Sequence, residues 1–194
     1  IDFFIFLPVV LLVYFLLAHK WRWIWLLVTS CFFFGYFYYS TCVAGKTHFY
    51  YYIIIALSIL SVILVEYYIA LLIDKNRSSG TKNGKILMVA GIIFPLILLF
   101  LFKYFNFFSQ TISQIASFLR LNYPAQVLNI LVPVGISYYT FHSISYIIDV
   151  YRGEKPERHL GIFSLYILFF PKIVAGPIER AGRLIPQFRE EHTF

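Results

Sequence analysis

What most constrains this chain is a set of long apolar runs separated by short basic connections. Residues 3–18, 23–39, 50–73, 86–105 and 128–149 each hold no more than one charged side chain. A helix needs roughly 17–25 mostly apolar residues to cross a bilayer, so these runs are too long for core strands and long enough for spans. Composition agrees: 60% of residues are hydrophobic, 21% are aromatic and only 13% are charged. A soluble domain of this size carries about 25% charged residues and leaves about 30% of its extended surface in water. Soluble enzymes, disordered tails and small disulfide scaffolds are thereby excluded, and the sequence predicts an all-α polytopic membrane protein.

Five transmembrane helices are expected over the five runs, within one membrane domain covering residues 1–194. Lys20-Trp21-Arg22-Trp23 forms an interfacial turn after the first, and Tyr36, Tyr38 and Tyr39 sit at headgroup level near the end of the second. Residues 106–126 read as an interfacial helix with Phe107, Phe108, Ile112, Ile115, Phe118 and Leu119 on its apolar face. The segment 160–175 is different, because Pro171 and Lys172 interrupt it and Gly176-Pro177 stops it. Its 16 residues reach only about 24 Å at 1.5 Å per residue, against about 30 Å of hydrocarbon. A short re-entrant helix, buried by its neighbours, fits better than a sixth crossing. Gly176 is expected to supply backbone angles closed to other residues.

The formal charge of +7 sits mainly in the connections. Lys20, Arg22, Lys75, Arg77, Lys82, Lys85, Arg152, Lys155 and Arg158 fall on one side, and Lys46, Lys103 and Arg120 on the other. The positive-inside rule puts the first group in the cytoplasm and the N-terminus outside. This pattern makes the basic surplus a matter of orientation and gives no reason to expect nucleic acid. The two cysteines, Cys31 and Cys42, read as buried free thiols. Ile1 in place of Met and an uncapped end at Phe194 read as a piece of a longer chain.

Two places could carry chemistry. Glu66 lies inside the third run, where an exposed carboxylate costs several kcal/mol; it faces a pocket or ties helices together. In the fifth run Tyr138, His142, Ser145 and Asp149 are spaced four, three and four apart, which puts them on one helix face. Such a stripe suits a wet funnel or a helix contact. His142 is the one histidine in a membrane interior and is a weak candidate base, and Asp149 can simply end its helix in an interfacial ion pair. No metal spacing, phosphate loop or nucleophile elbow is present.

Three stretches resemble one family. They are Leu101-Phe102-Lys103-Tyr104-Phe105-Asn106-Phe107-Phe108, the run Leu131-Val132-Pro133-Val134-Gly135-Ile136-Ser137-Tyr138-Tyr139-Thr140-Phe141 with Asp149-Val150-Tyr151-Arg152-Gly153 after it, and Phe169-Phe170-Pro171-Lys172-Ile173-Val174-Ala175-Gly176-Pro177-Ile178-Glu179-Arg180. In this order they resemble the membrane-bound O-acyltransferases, in the bacterial branch that acetylates alginate and related surface polysaccharides. A related branch transfers D-alanine to teichoic acids.

The resemblance implies tilted helices around a funnel and a multi-pass protein of the bacterial inner membrane. It implies an acetyl-CoA or other acyl thioester donor on the cytoplasmic side and no bound cofactor. It also implies a polysaccharide acceptor outside and periplasmic or extracellular acyl-transfer proteins as partners. Lys172, Gly176, Pro177, Glu179 and Arg180 would form the donor-side motif, Lys172 and Arg180 attracting an anionic donor. The family's catalytic histidine lies in a later part of its members, and His142 stands where relatives commonly carry Gln. This chain is therefore expected to supply funnel wall without the catalytic group, and to be inactive alone. A transporter or flippase component and a non-enzymatic assembly subunit are the alternatives that the residues alone leave open.

Overall fold

The computed structural model describes residues 2–43, 49–78, 83–119, 132–176 and 179–190, and every regular element among them is helical. In chain order these are α1 (Asp2–Leu16), α2 (His19–Val43), α3 (Phe49–Ser78), α4 (Gly84–Leu99), a π-helical turn (Phe100–Tyr104), α5 (Phe105–Phe118), α6 (Ile136–Arg152), α7 (Leu160–Leu168), α8 (Phe170–Ala175) and α9 (Ala181–Gln187). Two stretches among the described residues, Tyr50–Arg77 and Gly84–Phe118, are helices long and apolar enough to cross a membrane. Ile5–Leu16 and Leu160–Lys172 are apolar but shorter.

Helix α3 shows how the core is built. Ile55, Ile59, Val62, Ile63, Glu66, Ala70 and Ile73 recur at helical spacing and are all buried, while Ile53, Leu57, Leu60, Tyr68 and Leu72 on other faces are exposed. A helix apolar all round with only one face covered suits protein on that face and hydrocarbon on the rest. The buried face meets α4 and α6, and α4 lies along α6. Helix α7 is enclosed more completely: Ile162, Phe163, Leu165, Tyr166, Ile167 and Leu168 are buried among α2, α3, α6 and α9.

The 160–175 segment is two helices. Pro171 in the first turn of α8 has no N–H, so a helix arriving through α7 cannot continue across it. The chain breaks at Phe169, and α9 then packs back beside α7. Phe170 is fully buried, with its ring 5.2 Å from Phe6 and 5.5 Å from Phe33.

Basic residues near the end of α3 and in the connection after α6 meet at one end. Arg77 donates to the Val150 carbonyl at 3.4 Å, Asp74 lies 3.8 Å from Arg158, and the Tyr67 hydroxyl donates to the Arg158 carbonyl at 2.6 Å. The rings of Trp23 and His159, 4.9 Å apart, bring the start of α2 to the same end. At the other end Lys103 donates to Ser137 Oγ at 3.0 Å, and the Val134 N–H donates to the Tyr38 hydroxyl at 2.9 Å. Among the described residues, Arg77 and Arg158 thus lie together at one end and Lys103 at the other.

Several boundaries differ from expectation. Helix α2 starts at His19 and reaches Val43, and α3 continues to Ser78. Residues 105–118 are not a separate interfacial helix, because the π turn carries α4 directly into α5. Phe107, Ile112, Ile115 and Phe118 are nevertheless exposed, as the apolar-face reading expected. Helix α6 begins at Ile136, after Gly135 turns left-handed at φ 74°. Residues 120–131, which include parts of two expected elements, lie outside the described residues. Cys31 is exposed on α2, because it shares the outward face of that helix with Val28 and Phe32. The side chain of Cys42 lies outside the described ones.

Candidate functional site

The α6 stripe is where the site starts. Tyr138 and His142 are one turn apart, and the Tyr138 hydroxyl lies 3.3 Å from His142 Nε2 with the rings stacked at 4.3 Å. His142 is fully buried, and the backbone of Tyr138, one turn earlier, also lies against its ring. A neutral imidazole has one donor and one acceptor nitrogen, so the ring can bridge one donor and one acceptor group.

Helix α7 and the broken segment close over that ring. Tyr166 places its ring 5.3 Å from His142, and its hydroxyl is 3.5 Å from both the His142 and the Glu179 carbonyl oxygens. Lys172, on α8, is buried; its Nζ lies 3.1 Å from Glu179 Oε2 and 5.8 Å from the centre of the Tyr166 ring. Lys172 and Glu179 are near enough to act electrostatically on His142. The result is one polar cluster drawn from α6, α7, α8 and the residues before α9, set among apolar helices.

A second polar region lies at the basic end. An open cavity of about 910 Å³ is lined by Asp74, Arg77, Tyr146, Asp149, Glu154, Lys155, Glu157, Arg158 and Arg189 among others. Glu157 holds its edge: Arg189 donates to Oε1 at 2.6 Å, the His159 N–H donates to the same oxygen at 2.8 Å, and the Glu157 N–H donates to the Tyr146 hydroxyl at 2.9 Å. The Tyr146 ring is 6.1 Å from that of Tyr166, so aromatic residues connect cavity and cluster.

The expected stripe thus divides. Tyr138 and His142 enter the cluster, Asp149 lines the cavity, and Ser145 is half-buried between them in sequence. Glu66 is fully buried on α3, with neither carboxylate oxygen partnered among the described residues. Of the donor-side residues, Lys172 and Glu179 pair with each other, Arg180 is exposed, and Pro177 lies outside the described residues.

Gly176 is needed for a different reason than expected. Its φ of −90° and ψ of 152° suit any residue. A Cβ there would lie 2.8 Å from the Lys172 Cα and 3.1 Å from the Lys172 oxygen, so close backbone approach is what requires glycine.

Tyr166, Tyr146, Glu157 and Arg189 were not among the expected site residues. Tyr166 is the only hydroxyl-bearing ring of α7, which is a signal the sequence held. Nothing local couples Glu157 to a side chain 32 positions away.

Helices as the only regular elements among the described residues, two of them of membrane length, around a buried polar cluster place the chain in the class of polytopic α-helical membrane proteins. Within that class the chain matches alginate O-acetylases of the membrane-bound O-acyltransferase family at 33–34% identity over nearly its whole length. It is 34% identical over 192 residues to a probable alginate O-acetylase of Pseudomonas aeruginosa, covering 98% of this chain and 34% of that protein. It is 25% identical over 222 residues to a peptidoglycan O-acetyltransferase of Helicobacter pylori, covering 98% of this chain and 38% of that protein. A teichoic acid D-alanyltransferase of Streptococcus thermophilus is 42% identical over 50 residues, 26% of this chain and 12% of that protein. The chain spans about one third of the length of the alginate O-acetylases it matches. No family model matches the chain, and no solved structure matches it.

Proposed function

We propose that the full-length protein is a membrane O-acyltransferase that moves an acetyl group from a thioester to a hydroxyl of an exported or surface polysaccharide. The observation that carries this reading is the 34% identity to an alginate O-acetylase across 98% of the chain. In the transfer, a glycan hydroxyl oxygen attacks the thioester carbonyl carbon and the C–S bond breaks. The hydroxyl proton passes to a base, and the departing sulfur leaves as a thiol. The base is the histidine that the family resemblance places in a later part of the protein, so the 194-residue chain alone should not turn over.

In this reading Tyr138, His142 and Ser145 line a funnel inside one membrane domain, and Asp149 lines its cytoplasmic mouth. The buried ring of His142, with the Tyr138 hydroxyl beside it, is suited to orient a substrate hydroxyl or carbonyl. Lys172, Gly176, Glu179 and Arg180 belong to the donor-side wall, and Arg180, whose side chain is exposed, is the cation available to an anionic donor. Glu66, facing apolar helices, belongs to helix packing. The arrangement comprises five transmembrane helices and a re-entrant segment at 160–175, with the N-terminus outside the bacterial inner membrane. Periplasmic acyl-transfer proteins are the partners expected at the acceptor side.

The test is acetyl transfer by the full-length protein in inside-out vesicles loaded with polysaccharide and supplied from outside with radiolabelled acetyl thioester. Alkali-labile label on the glycan is the expected result. Glycan movement without ester formation would replace the reading with transport.

A further inference from the structure

We infer that Lys172 and Glu179 form a positioning pair, an internal brace that holds the broken 169–180 segment against Tyr166 and fixes the wall facing His142. The inference rests on the acyltransferase reading for its kinetic test and on geometry for its origin.

Lys172 is 8% exposed and its Nζ lies 3.1 Å from Glu179 Oε2. A cation that attracts a soluble anionic donor needs an open head group, and this one is enclosed and already paired. The ammonium also sits 5.8 Å from the centre of the Tyr166 ring, a favourable place for a desolvated cation. The Tyr166 hydroxyl in turn is 3.5 Å from two carbonyl oxygens, one on α6 at His142 and one at Glu179 itself. Four pieces of chain therefore meet at one ring.

The backbone is arranged around the same point. The Gly176 N–H donates to the Lys172 carbonyl at 2.8 Å, and no side chain fits at Gly176 because Lys172 is in the way. The pair ties α8 to the residue that stands just ahead of α9. Removing Glu179 leaves the buried Lys172 ammonium without its partner, which is the costly way to disrupt such a pair, whereas Glu179 is itself partly exposed; exchanging the two charges keeps the pair. Because Lys172 and Glu179 both act on His142, the pair's loss should be felt at the imidazole.

Lys172→Met, Glu179→Gln, Lys172→Arg and the double exchange Lys172→Glu with Glu179→Lys are made in the full-length protein. Two readouts are taken: kcat with KM for donor and acceptor, and the ring resonances of isotopically labelled His142. A positioning role predicts that each charge-removing variant lowers kcat by about tenfold, leaves both KM values within about twofold and shifts the His142 signal. Lys172→Arg and the exchanged pair should recover kcat to within about threefold. If the single variants lose their monodisperse fold, recovery of that fold in the exchanged pair gives the same support.

A raised donor KM that salt abolishes would overturn the inference and make Lys172 a donor ligand. An unchanged kcat with an unchanged His142 signal would also overturn it. If the wild-type protein transfers no acyl group, the acyltransferase reading fails, and the His142 signal alone decides whether the brace exists.

Discussion

Glu66 and Glu157 are both buried carboxylates, yet they occupy opposite kinds of environment. Glu66 sits in the middle of α3 beside Val62, Ile63, Ala70 and Ile73, with no hydrogen-bond partner among the described residues. Glu157 lies in the connection between α6 and α7, where Arg189 and the His159 N–H converge on one of its oxygens. The first is notable for its depth alone. The second matters because three separate pieces of chain are tied through it. Depth in an apolar helix raises the cost of a polar group; convergence of several elements gives that group a structural task. The His142 cluster has both properties, with its polar members coming from α6, α7, α8 and the approach to α9.

The largest effect that sharpens this comparison is a backbone effect beside the cluster. Gly176→Val would force a Cβ to within 2.8 Å of the Lys172 Cα. We expect a loss of about 3 kcal/mol or more, read as disappearance of monodisperse protein after detergent extraction. Glu157→Leu comes next. It strands the His159 N–H and removes the anchor of the half-exposed Arg189 guanidinium, and should cost about 2 kcal/mol, seen as a lower Tm in detergent. Equal Tm values for Glu157→Leu and wild type would break the contrast.

Glu66→Leu should change stability by less than about 1 kcal/mol and can raise it, since a buried polar group without partners is often replaced by an apolar one at no loss. Thermal unfolding of that variant checks this, and a fall as large as that of Glu157→Leu would show that Glu66 has an essential partner. The smallest effect is expected at Arg158, whose side chain is 83% exposed and 3.8 Å from Asp74. Arg158→Gln should shift stability by less than about 0.5 kcal/mol, a change that added salt would remove.

Part of this was legible before any coordinates. Apolar runs gave the helices because in hydrocarbon a helix satisfies its own backbone. The spacing of Tyr138 and His142 gave their contact because both belong to one helix. Boundaries were poorer where local signals were weak: nothing in Phe100-Leu101-Phe102-Lys103-Tyr104 announces a π turn, so α5 read as a detached helix. Tyr166, Glu157 and Arg189 were missed because their partners lie on other helices, and one sequence holds no record of such pairings. Gly176 was noticed, but for the wrong physical cause; its backbone angles are ordinary and the crowding comes from Lys172.

The central claim is that polar residues joined by several helices serve the site, whereas an isolated one such as Glu66 serves packing. The most direct measurement compares acetyl-transfer rates of the full-length Tyr138→Phe and Glu66→Gln variants in the same vesicles. Tyr138→Phe removes the hydroxyl 3.3 Å from His142 Nε2 and should lower kcat by about tenfold, while Glu66→Gln should stay within about twofold of wild type. Loss of transfer in Glu66→Gln with full activity in Tyr138→Phe would contradict the account.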